Sequence, residues 1–248
     1  MTSSASSPAP TTLAPVAVAL DAPDLAVLAE WAEQVAGVVS TVKVGLEVFC
    51  RDGSEAVHAA RRAGGEQVAV FLDLKLHDIP ATVRGASLAV SGLRPDFLTV
   101  HAAGGAEMVA AAVEALPETR ITAVTVLTSL DEAALSAIGM VGPSAEAAVR
   151  LAQLAVGAGA RAVVCSPREV AAIRAAVGPD ITLITPGVRP AGSAADDQKR
   201  VATPAQAIAD GADLLVIGRP ITGAVDVRAA ALAIAAEVAA GRTAEGAA

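Results

Sequence analysis

Tyrosine is absent from this sequence of 248 residues, and aromatic residues of all kinds make up only 2% of it. Basic residues are also scarce, because 18 Lys and Arg stand against 26 Asp and Glu and no long basic run occurs. A net charge of −8 without a basic patch argues against nucleic acid or an anionic membrane surface as the main partner. An anionic small molecule would instead need a local cluster of Lys and Arg.

Long apolar runs are missing as well. No run reaches the roughly 18 residues that a transmembrane helix needs, so we predict no membrane-spanning segment. Residues 1–14 are rich in Ser, Ala, Pro and Thr, and we expect a disordered tail there rather than a signal peptide. Residues 241–248 are expected to form a C-terminal tail, which leaves 15–240 as one domain.

Cysteine and histidine are few and scattered. Cys50 and Cys165 are isolated beside apolar runs, and we expect reduced, buried thiols of a cytoplasmic protein rather than a disulfide. His58, His77 and His101 lack the spacing of metal ligands, so no metal site is predicted.

Hydrophobic residues nevertheless reach 54% of the chain, and they follow a repeating pattern. Eight short apolar runs, rich in β-branched residues, are each followed by a longer Ala-rich amphipathic stretch. The runs are 16–20, 38–44, 68–74, 97–100, 121–127, 162–164, 181–184 and 214–217. The helical stretches lie near 24–36, 54–63, 81–91, 105–115, 144–157, 168–176, 203–210 and 223–240.

This pattern predicts the fold class. Strands that are continuously apolar, without alternation, are typical of a parallel sheet that is buried on both faces. Eight strand–helix units in about 250 residues fit an α/β protein of the (β/α)8 type, the TIM barrel. A doubly wound open sheet is the structural alternative.

Polar residues recur where the predicted strands end. In a barrel these strand ends meet on one face, which is where barrel enzymes place their sites. Polar residues are also common where loops begin, so a purely structural explanation accounts for part of the pattern. The residues at these positions are Asp21, Lys43, Asp73, Lys75, His101, Thr128, Ser129, Arg189, Gly218 and Arg219.

The third strand carries the densest group of charges. Asp73 and Lys75 are two residues apart, so a regular strand would point them to the same side. Asp78 lies just past the strand end, and Pro80 suits the first turn of the next helix. Burying such charges is costly unless they pair with one another. A structural ion pair is the alternative to a catalytic one.

A second group of residues indicates a phosphate site. Gly218 and Arg219 are predicted to turn directly into the last helix, where a close backbone approach, free N–H groups and a guanidinium suit an anion. Arg189 and Gln198 lie in a long segment after the seventh strand, which is a candidate lid. The loops after strands seven and eight are a frequent phosphate site in barrels.

Together these residues resemble one known family. Segment 71–80, with the sequence FLDLKLHDIP, closely resembles the signature of the orotidine 5′-phosphate decarboxylase family. The resemblance extends from Asp21 to the last helix. Its supporting pieces are LD at 20–21, VKVG at 42–45, VLTSLDE at 126–132, TPGVR at 185–189, Gln198 and IGRPI at 217–221.

The resemblance implies a reaction and a role for each site residue. The reaction is the cofactor-free decarboxylation of orotidine 5′-phosphate to UMP and CO2, the last step of de novo pyrimidine synthesis, carried out by a homodimer. Lys75 would protonate C6, and Asp73 would lie beside the departing carboxylate. Lys43 would pair with Asp73 and touch the ribose, while Asp21 would bind a ribose hydroxyl. Asp78 would be donated across the dimer interface.

The remaining roles also follow from the resemblance alone. Ile79 and Thr82 would accompany Asp78 into the site of the partner, and Thr128 would hold the pyrimidine. The phosphate would be held by Arg189, Gln198, Gly218 and Arg219.

Two other functions remain open. Related barrels that act on sugar phosphates, such as 3-keto-L-gulonate 6-phosphate decarboxylase and hexulose phosphate synthase, share a D-x-K-x-x-D pattern but use Mg²⁺. The Ile79-Pro80 pair and the long segment with Gln198 favour the nucleotide. A barrel that only binds a phosphate ligand is the second alternative, but it has no need for Lys43, Asp73, Lys75 and Asp78 together.

Overall fold

A computed structural model describes residues 13–190 and 202–245 of the chain. Its eight β-strands lie close to the eight predicted apolar runs. They are β1 Ala14–Ala19, β2 Val39–Gly45, β3 Ala69–Leu76, β4 Phe97–His101, β5 Arg120–Val124, β6 Ala162–Val164, β7 Thr182–Thr185 and β8 Leu214–Ile217.

The strands form a closed barrel in sequence order. Each strand pairs in parallel with the next, and β8 pairs in parallel with β1 to close the sheet. The predicted (β/α)8 barrel is therefore confirmed, and the open doubly wound sheet is excluded. Because all strands run the same way, their carboxyl ends meet at one mouth of the barrel.

Eleven α-helices surround the barrel within the described residues. They are α1 Leu25–Val35, α2 Leu46–Asp52, α3 Ser54–Gly64, α4 Pro80–Ala89, α5 Ala106–Ala115, α6 Glu132–Ala137, α7 Ser144–Gly157, α8 Val170–Val177, α9 Pro204–Ala209, α10 Arg219–Thr222 and α11 Val227–Glu245. None of these helices is long and apolar enough to cross a membrane. The short helices α2, α6 and α10 were not predicted, because each spans less than two full turns and leaves a weak periodic pattern.

The predicted direct turn from Gly218 into the last helix is wrong. The four-residue helix α10 comes first, and α11 begins only at Val227. Asp226 explains the new start, because its side chain accepts a hydrogen bond from the backbone N–H of Ala229 at 2.8 Å. An aspartate that satisfies a free N–H in the first turn is a common helix start.

The predicted start of the C-terminal tail at Gly241 is also wrong, because α11 continues to Glu245. Glycine often ends a helix, but here it permits a close helix–helix contact instead. A Cβ atom at Gly241 would lie 2.6 Å from the backbone oxygen of Ala205 in α9. At the other end β1 begins at Ala14, and residues 1–12 of the predicted N-terminal tail lie outside the described residues.

The barrel interior is filled with side chains. Ala17 faces inward while its neighbours Val16 and Val18 pack outward against the helices. The rings of Phe71 and Phe97 meet inside the barrel with centroids 5.7 Å apart. The lumen is therefore a packed core and not a pore, and it separates the two mouths. The inner cluster consists of Ala17, Phe71, Phe97, Ala162, Ile184 and Leu214.

Candidate active site

A carboxylate lies between two ammonium groups at the carboxyl ends of the strands. Asp73 Oδ1 is 2.8 Å from Lys75 Nζ, and Asp73 Oδ2 is 3.4 Å from Lys43 Nζ. Lys43 Nζ also lies 3.6 Å from Asp21 Oδ1. The side chains of Lys43 and Asp73 are about nine-tenths buried, whereas Asp21 is half exposed. Four of the predicted site residues are therefore in one chain of ion pairs.

The fold makes this arrangement through three adjacent strands and a glycine. Lys43 pairs with Ala19 of β1 near the end of β2, and Gly45 pairs with Asp73 of β3. A Cβ atom at Gly45 would lie 2.8 Å from Asp21 Oδ1 and 2.9 Å from Lys43 Nζ. A larger residue would therefore force the ends of the Lys43 and Asp21 side chains to shift, so Gly45 leaves room for the pair as it stands, which is a role that sequence analysis missed.

The end of β3 is not a regular strand. Leu72 pairs with Leu98 and Leu76 pairs with Val100, so residues 73–75 lie opposite the single residue Thr99. Lys75 has a φ of 49°, in the left-handed region that a non-glycine residue rarely adopts. The predicted contact between Asp73 and Lys75 is present, but simple alternation along a strand does not produce it. A bulge with an unusual backbone conformation does.

Thr99 was also missed by sequence analysis. Its hydroxyl accepts a hydrogen bond from the backbone N–H of Lys75 at 2.8 Å and donates one to Asp73 Oδ1 at 3.0 Å. The residue is fully buried in β4. Its only signal in the sequence is a polar residue in an otherwise apolar run, and nothing local relates it to a lysine 24 positions earlier.

The surroundings of Asp73 keep it ionised. Burial by itself raises the pKa of this carboxyl, but the positive charges of Lys43 and Lys75 lower it. Hydrogen bonds from Lys75 and Thr99 lower it further, so the net pKa lies below its ordinary value of 3.8. Asp73 is therefore an anion at neutral pH despite its burial.

Two histidines lie beside the cluster. The rings of His77 and His101 are 5.3 Å apart between centroids. Burial lowers the pKa of His101, and the charges of His77 and Lys75 lower it more than Asp73 raises it. His101 is therefore neutral at pH 7. Within residues 13–190 and 202–245, no three or more His, Cys, Asp or Glu side chains are grouped so that they could hold a metal ion.

A mostly apolar cavity of about 210 Å³ opens beside Lys75. Thr128, a predicted pyrimidine contact, lines it together with Asp73 and Lys75. Burial raises the pKa of the Cys165 thiol in its wall to about 12, so the thiol is neutral. The rest of the wall includes Phe71, Val124, Val126, Val164 and Val216. We call this space the apolar cavity.

Both cysteines are free thiols, as expected. The expectation that both are buried is wrong for Cys50, which is exposed. The physical reason is that Cys50 lies in α2, a helix that the sequence pattern did not predict, and its side chain is on the outer face of that helix.

A second, more polar cavity of about 450 Å³ adjoins the first. Asp73 and Pro186 line both cavities, so the two form one groove across the mouth of the barrel. The far end of the groove, after β7 and β8, carries two arginines. The polar lining consists of Asp21, Lys43, Asp73, Arg189, Gly218 and Arg219, all of them predicted site residues. We call this space the polar cavity.

Three predicted residues, Asp78, Ile79 and Thr82, do not line the groove. Asp78 accepts a hydrogen bond from the backbone N–H of Ile79 at 2.7 Å, and within the described parts of the chain it forms no ion pair with Lys75. Ile79 is 65% exposed, and Thr82 is exposed on α4. Gln198 lies outside the described residues.

Another concavity, of about 360 Å³, lies at the opposite mouth of the barrel. It is lined by Ser40, Thr41, Phe97, Arg120 and Asp213, and the guanidinium of Arg120 lies 5.0 Å from the centre of the Phe97 ring. Barrel enzymes place their sites at the carboxyl ends of the strands, which is where the ion pairs of Asp73 lie. The groove with Asp73 is therefore the better candidate for the active site.

These features define a class of protein: a (β/α)8 barrel with an ionised groove at the catalytic mouth and arginines after β7 and β8. Residues 14–234 match the model of the family described as "Orotidine 5'-phosphate decarboxylase / HUMPS family". The chain belongs to this family, and the family predicted from the sequence is confirmed.

Individual relatives agree with this assignment. A protein of Thermobifida fusca (strain YX) named orotidine 5′-phosphate decarboxylase is 68% identical over 225 residues, which cover 91% of this chain and 96% of that protein. A protein of the same name from Frankia casuarinae is 56% identical over 248 residues, which cover 94% of this chain and 90% of that protein.

Solved structures of proteins named orotidine 5′-phosphate decarboxylase have the same fold as this chain. The orotidine 5′-phosphate decarboxylase of Lactobacillus acidophilus has a TM-score of 0.78 and 36% identity, covering 91% of this chain and 99% of that chain. The enzyme of Pyrococcus horikoshii OT3 has a TM-score of 0.75 and 26% identity, and the match covers 90% of this chain and 99% of that chain.

The lowered pKa of Asp73 makes stability depend on pH in the acid range. A carboxyl with a lower pKa in the folded state contributes to the unfolding free energy above its unfolded pKa. That contribution is lost as the pH falls below 3.8 towards the folded pKa. We expect the unfolding free energy of wild type to fall relative to that of Asp73→Asn as the pH decreases through this window. Urea unfolding between about pH 6 and pH 3 measures it, and a constant difference would contradict the expectation.

Proposed function

We propose that the chain decarboxylates orotidine 5′-phosphate to UMP and CO2, the last step of UMP biosynthesis. The observation that carries the proposal is the buried Asp73 carboxylate held between Lys43 and Lys75 at the mouth of the barrel. Relatives named for this enzyme, at up to 68% identity, support it.

The chemistry explains why such a cluster is needed. When the bond between C6 and the carboxylate breaks, CO2 leaves and the electron pair stays on C6, where no adjacent carbonyl delocalises it. In this proposal no cofactor serves as an electron sink, so the protein must stabilise the carbanion with charges that are already in place. Lys75 supplies the nearest ammonium group and then transfers one of its protons to C6.

The other cluster residues position the substrate. Asp73 faces the departing carboxylate and keeps Lys75 charged and oriented. Lys43 and Asp21 bind the ribose hydroxyls from the polar cavity, which they line together. Thr128 holds the pyrimidine in the apolar cavity beside Lys75. The groove therefore matches the order of groups in the substrate, with the base at one end and the sugar in the middle.

The phosphate occupies the far end of the groove. Arg189, Gly218 and Arg219 line this end after β7 and β8, and Gln198 is proposed to join them from the segment between. Arginine suits phosphate because its planar guanidinium can donate two parallel hydrogen bonds. The phosphate is remote from C6, so its binding energy can be used to close the site and exclude water, which raises kcat.

The decisive test is decarboxylation by the purified chain, followed by the loss of substrate absorbance with EDTA present. Wild type should convert orotidine 5′-phosphate, and Lys75→Ala should lose turnover by at least about 10⁴-fold while it still binds UMP, because the nearest cation and the proton donor are gone. Near-normal kcat in Lys75→Ala would refute the role of Lys75. Activity that disappears with EDTA would contradict a reaction without a metal ion, which is what separates this proposal from the magnesium-dependent sugar-phosphate alternative.

Arg219→Ala tests the phosphate end. We expect kcat/KM for orotidine 5′-phosphate to fall by about 10²-fold or more, because a charge-assisted contact to the phosphate is lost. For orotidine, which lacks the phosphate, the loss should be much smaller. Arg120→Ala at the opposite mouth is the matched control for removing one positive charge. Equal losses for the two substrates would contradict the assignment.

The active unit is proposed to be a homodimer. Asp78 and Ile79 are exposed directly before α4, and two apolar side chains of this region, Ile79 and Leu88, are 65% and 43% exposed, as in a surface that a second copy could cover. Asp78 then completes the site of the partner subunit, followed by Ile79 and Thr82. This explains why Asp78 forms no ion pair with Lys75 of its own chain within the described residues.

Mixing two inactive variants tests this arrangement. Lys75→Ala and Asp78→Ala each disable a site, but a heterodimer of the two contains one site with both residues intact. After random exchange of subunits we expect about a quarter of wild-type activity, since half of the dimers are heterodimers with one working site. No recovery, despite proven exchange, would argue against a shared site.

A cytoplasmic location is also proposed. Cys50 and Cys165 are free thiols, and unpaired cysteines are typical of reducing compartments. Fractionation of the source cells with an activity assay tests it, and activity outside the cytoplasmic fraction would contradict it.

A further inference from the structure

The mechanism proposed above assigns no role to Thr99. We propose that its hydroxyl is a positioning group that holds Asp73 and Lys75 in their reactive arrangement. The inference rests on the proposed function, because it concerns how the same two residues are oriented. Thr99 is fully buried in β4, so it acts on the substrate only through them.

The bulge in β3 creates the need for such a group. Three residues, 73–75, lie opposite Thr99 alone, and the left-handed φ of Lys75 turns its backbone away from the regular ladder. A buried backbone N–H without an acceptor is costly. The side chain of Thr99 supplies that acceptor, at 2.8 Å from the nitrogen of Lys75.

The direction of these hydrogen bonds is fixed. A hydroxyl has one proton to donate, and the N–H of Lys75 approaches the oxygen from the other side. The hydroxyl proton therefore points to Asp73 Oδ1, 3.0 Å away. The result is a chain from a backbone N–H through a hydroxyl to a carboxylate, in which each bond polarises the next.

This chain assigns each oxygen of Asp73 to a different partner. Oδ1 accepts from both Thr99 and Lys75 Nζ, and Oδ2 is left to face Lys43. Thr99 thus links the backbone of Lys75 to the carboxylate that binds the ammonium group of the same lysine. Without the hydroxyl, both the carboxylate and the peptide of Lys75 lose a fixed orientation.

A packing role for Thr99 predicts the opposite order of variants. Val has the shape of Thr without the hydroxyl, and Ser keeps the hydroxyl but leaves a small cavity. If packing matters most, Thr99→Ser is the more damaging change, because cavities are costly in a filled interior. If the hydroxyl matters most, Thr99→Val is the more damaging change.

The experiment compares these variants in decarboxylation of orotidine 5′-phosphate. We expect Thr99→Val to lower kcat by about 10²-fold, since small misplacement of catalytic groups has effects of that size. KM and the affinity for UMP should stay near wild type. Thr99→Ser should keep most of kcat. Thr122→Val is the matched control, because Thr122 pairs with Thr99 on β5 and its hydroxyl bonds only the carbonyl of Arg120 among the described residues.

The kcat values of these variants decide whether the Thr99 hydroxyl is a positioning group. Wild-type kcat in Thr99→Val, or a larger loss in Thr99→Ser than in Thr99→Val, would overturn the inference. If Thr99→Val does not fold, Thr99→Ala and Thr99→Ser are compared instead, and equal kcat in those two variants would overturn it. A wild-type chain without decarboxylase activity would refute the proposed function, which is a separate result from any difference among the variants.

Discussion

The site depends on one buried carboxylate that is surrounded by positive charge. Asp73 is about nine-tenths buried, and such a carboxylate is tolerated only because Lys43 and Lys75 face its two oxygens. The dependence is mutual, since Lys43 is equally buried and needs a carboxylate beside it. The closed barrel supplies the constraint that makes this possible. It fixes the ends of β1, β2 and β3 side by side, so ions from three strands meet without a flexible loop.

The same fold separates two proposed tasks along one groove. The apolar cavity beside Lys75 is a low-dielectric surrounding, in which fixed charges act more strongly than in water. The polar cavity extends from Lys43 to Arg219 and offers charged side chains to a ligand. The filled lumen lies below the groove, with Phe71 packed against Phe97, and Phe71 also lines the apolar cavity. The proposed binding at one end and the proposed chemistry at the other are thus supported by one core.

Much of this could be predicted from the sequence, for physical reasons. Strands buried on both faces leave continuous apolar runs, and the polar residues at or just after the end of each run lie at the mouth of the barrel. That rule found Asp21, Lys43, Asp73 and Lys75, as well as Arg219. It could not find the bulge, because Lys75 has a left-handed backbone without the glycine that signals one. Thr99 and Gly45 were missed because their roles depend on contacts between strands and not on local patterns.

Two further features could not be predicted from the sequence, for other reasons. The packing of Gly241 on Ala205 depends on how α11 meets α9, which no local pattern encodes. The proposed role of Asp78 concerns a second copy of the chain. Its position beside an exposed Ile79 fits that role, but a single chain contains only half of the proposed site.

The most direct test of the central claim is a crystal structure of the chain with UMP bound. The account predicts that C6 of the pyrimidine lies within about 3 Å of Lys75 Nζ, as proton transfer requires. It predicts the ribose hydroxyls against Lys43 and Asp21 and the phosphate against Arg219. A nucleotide bound in the reverse direction, with its phosphate beside Lys75, or bound at the opposite mouth beside Arg120, would contradict it.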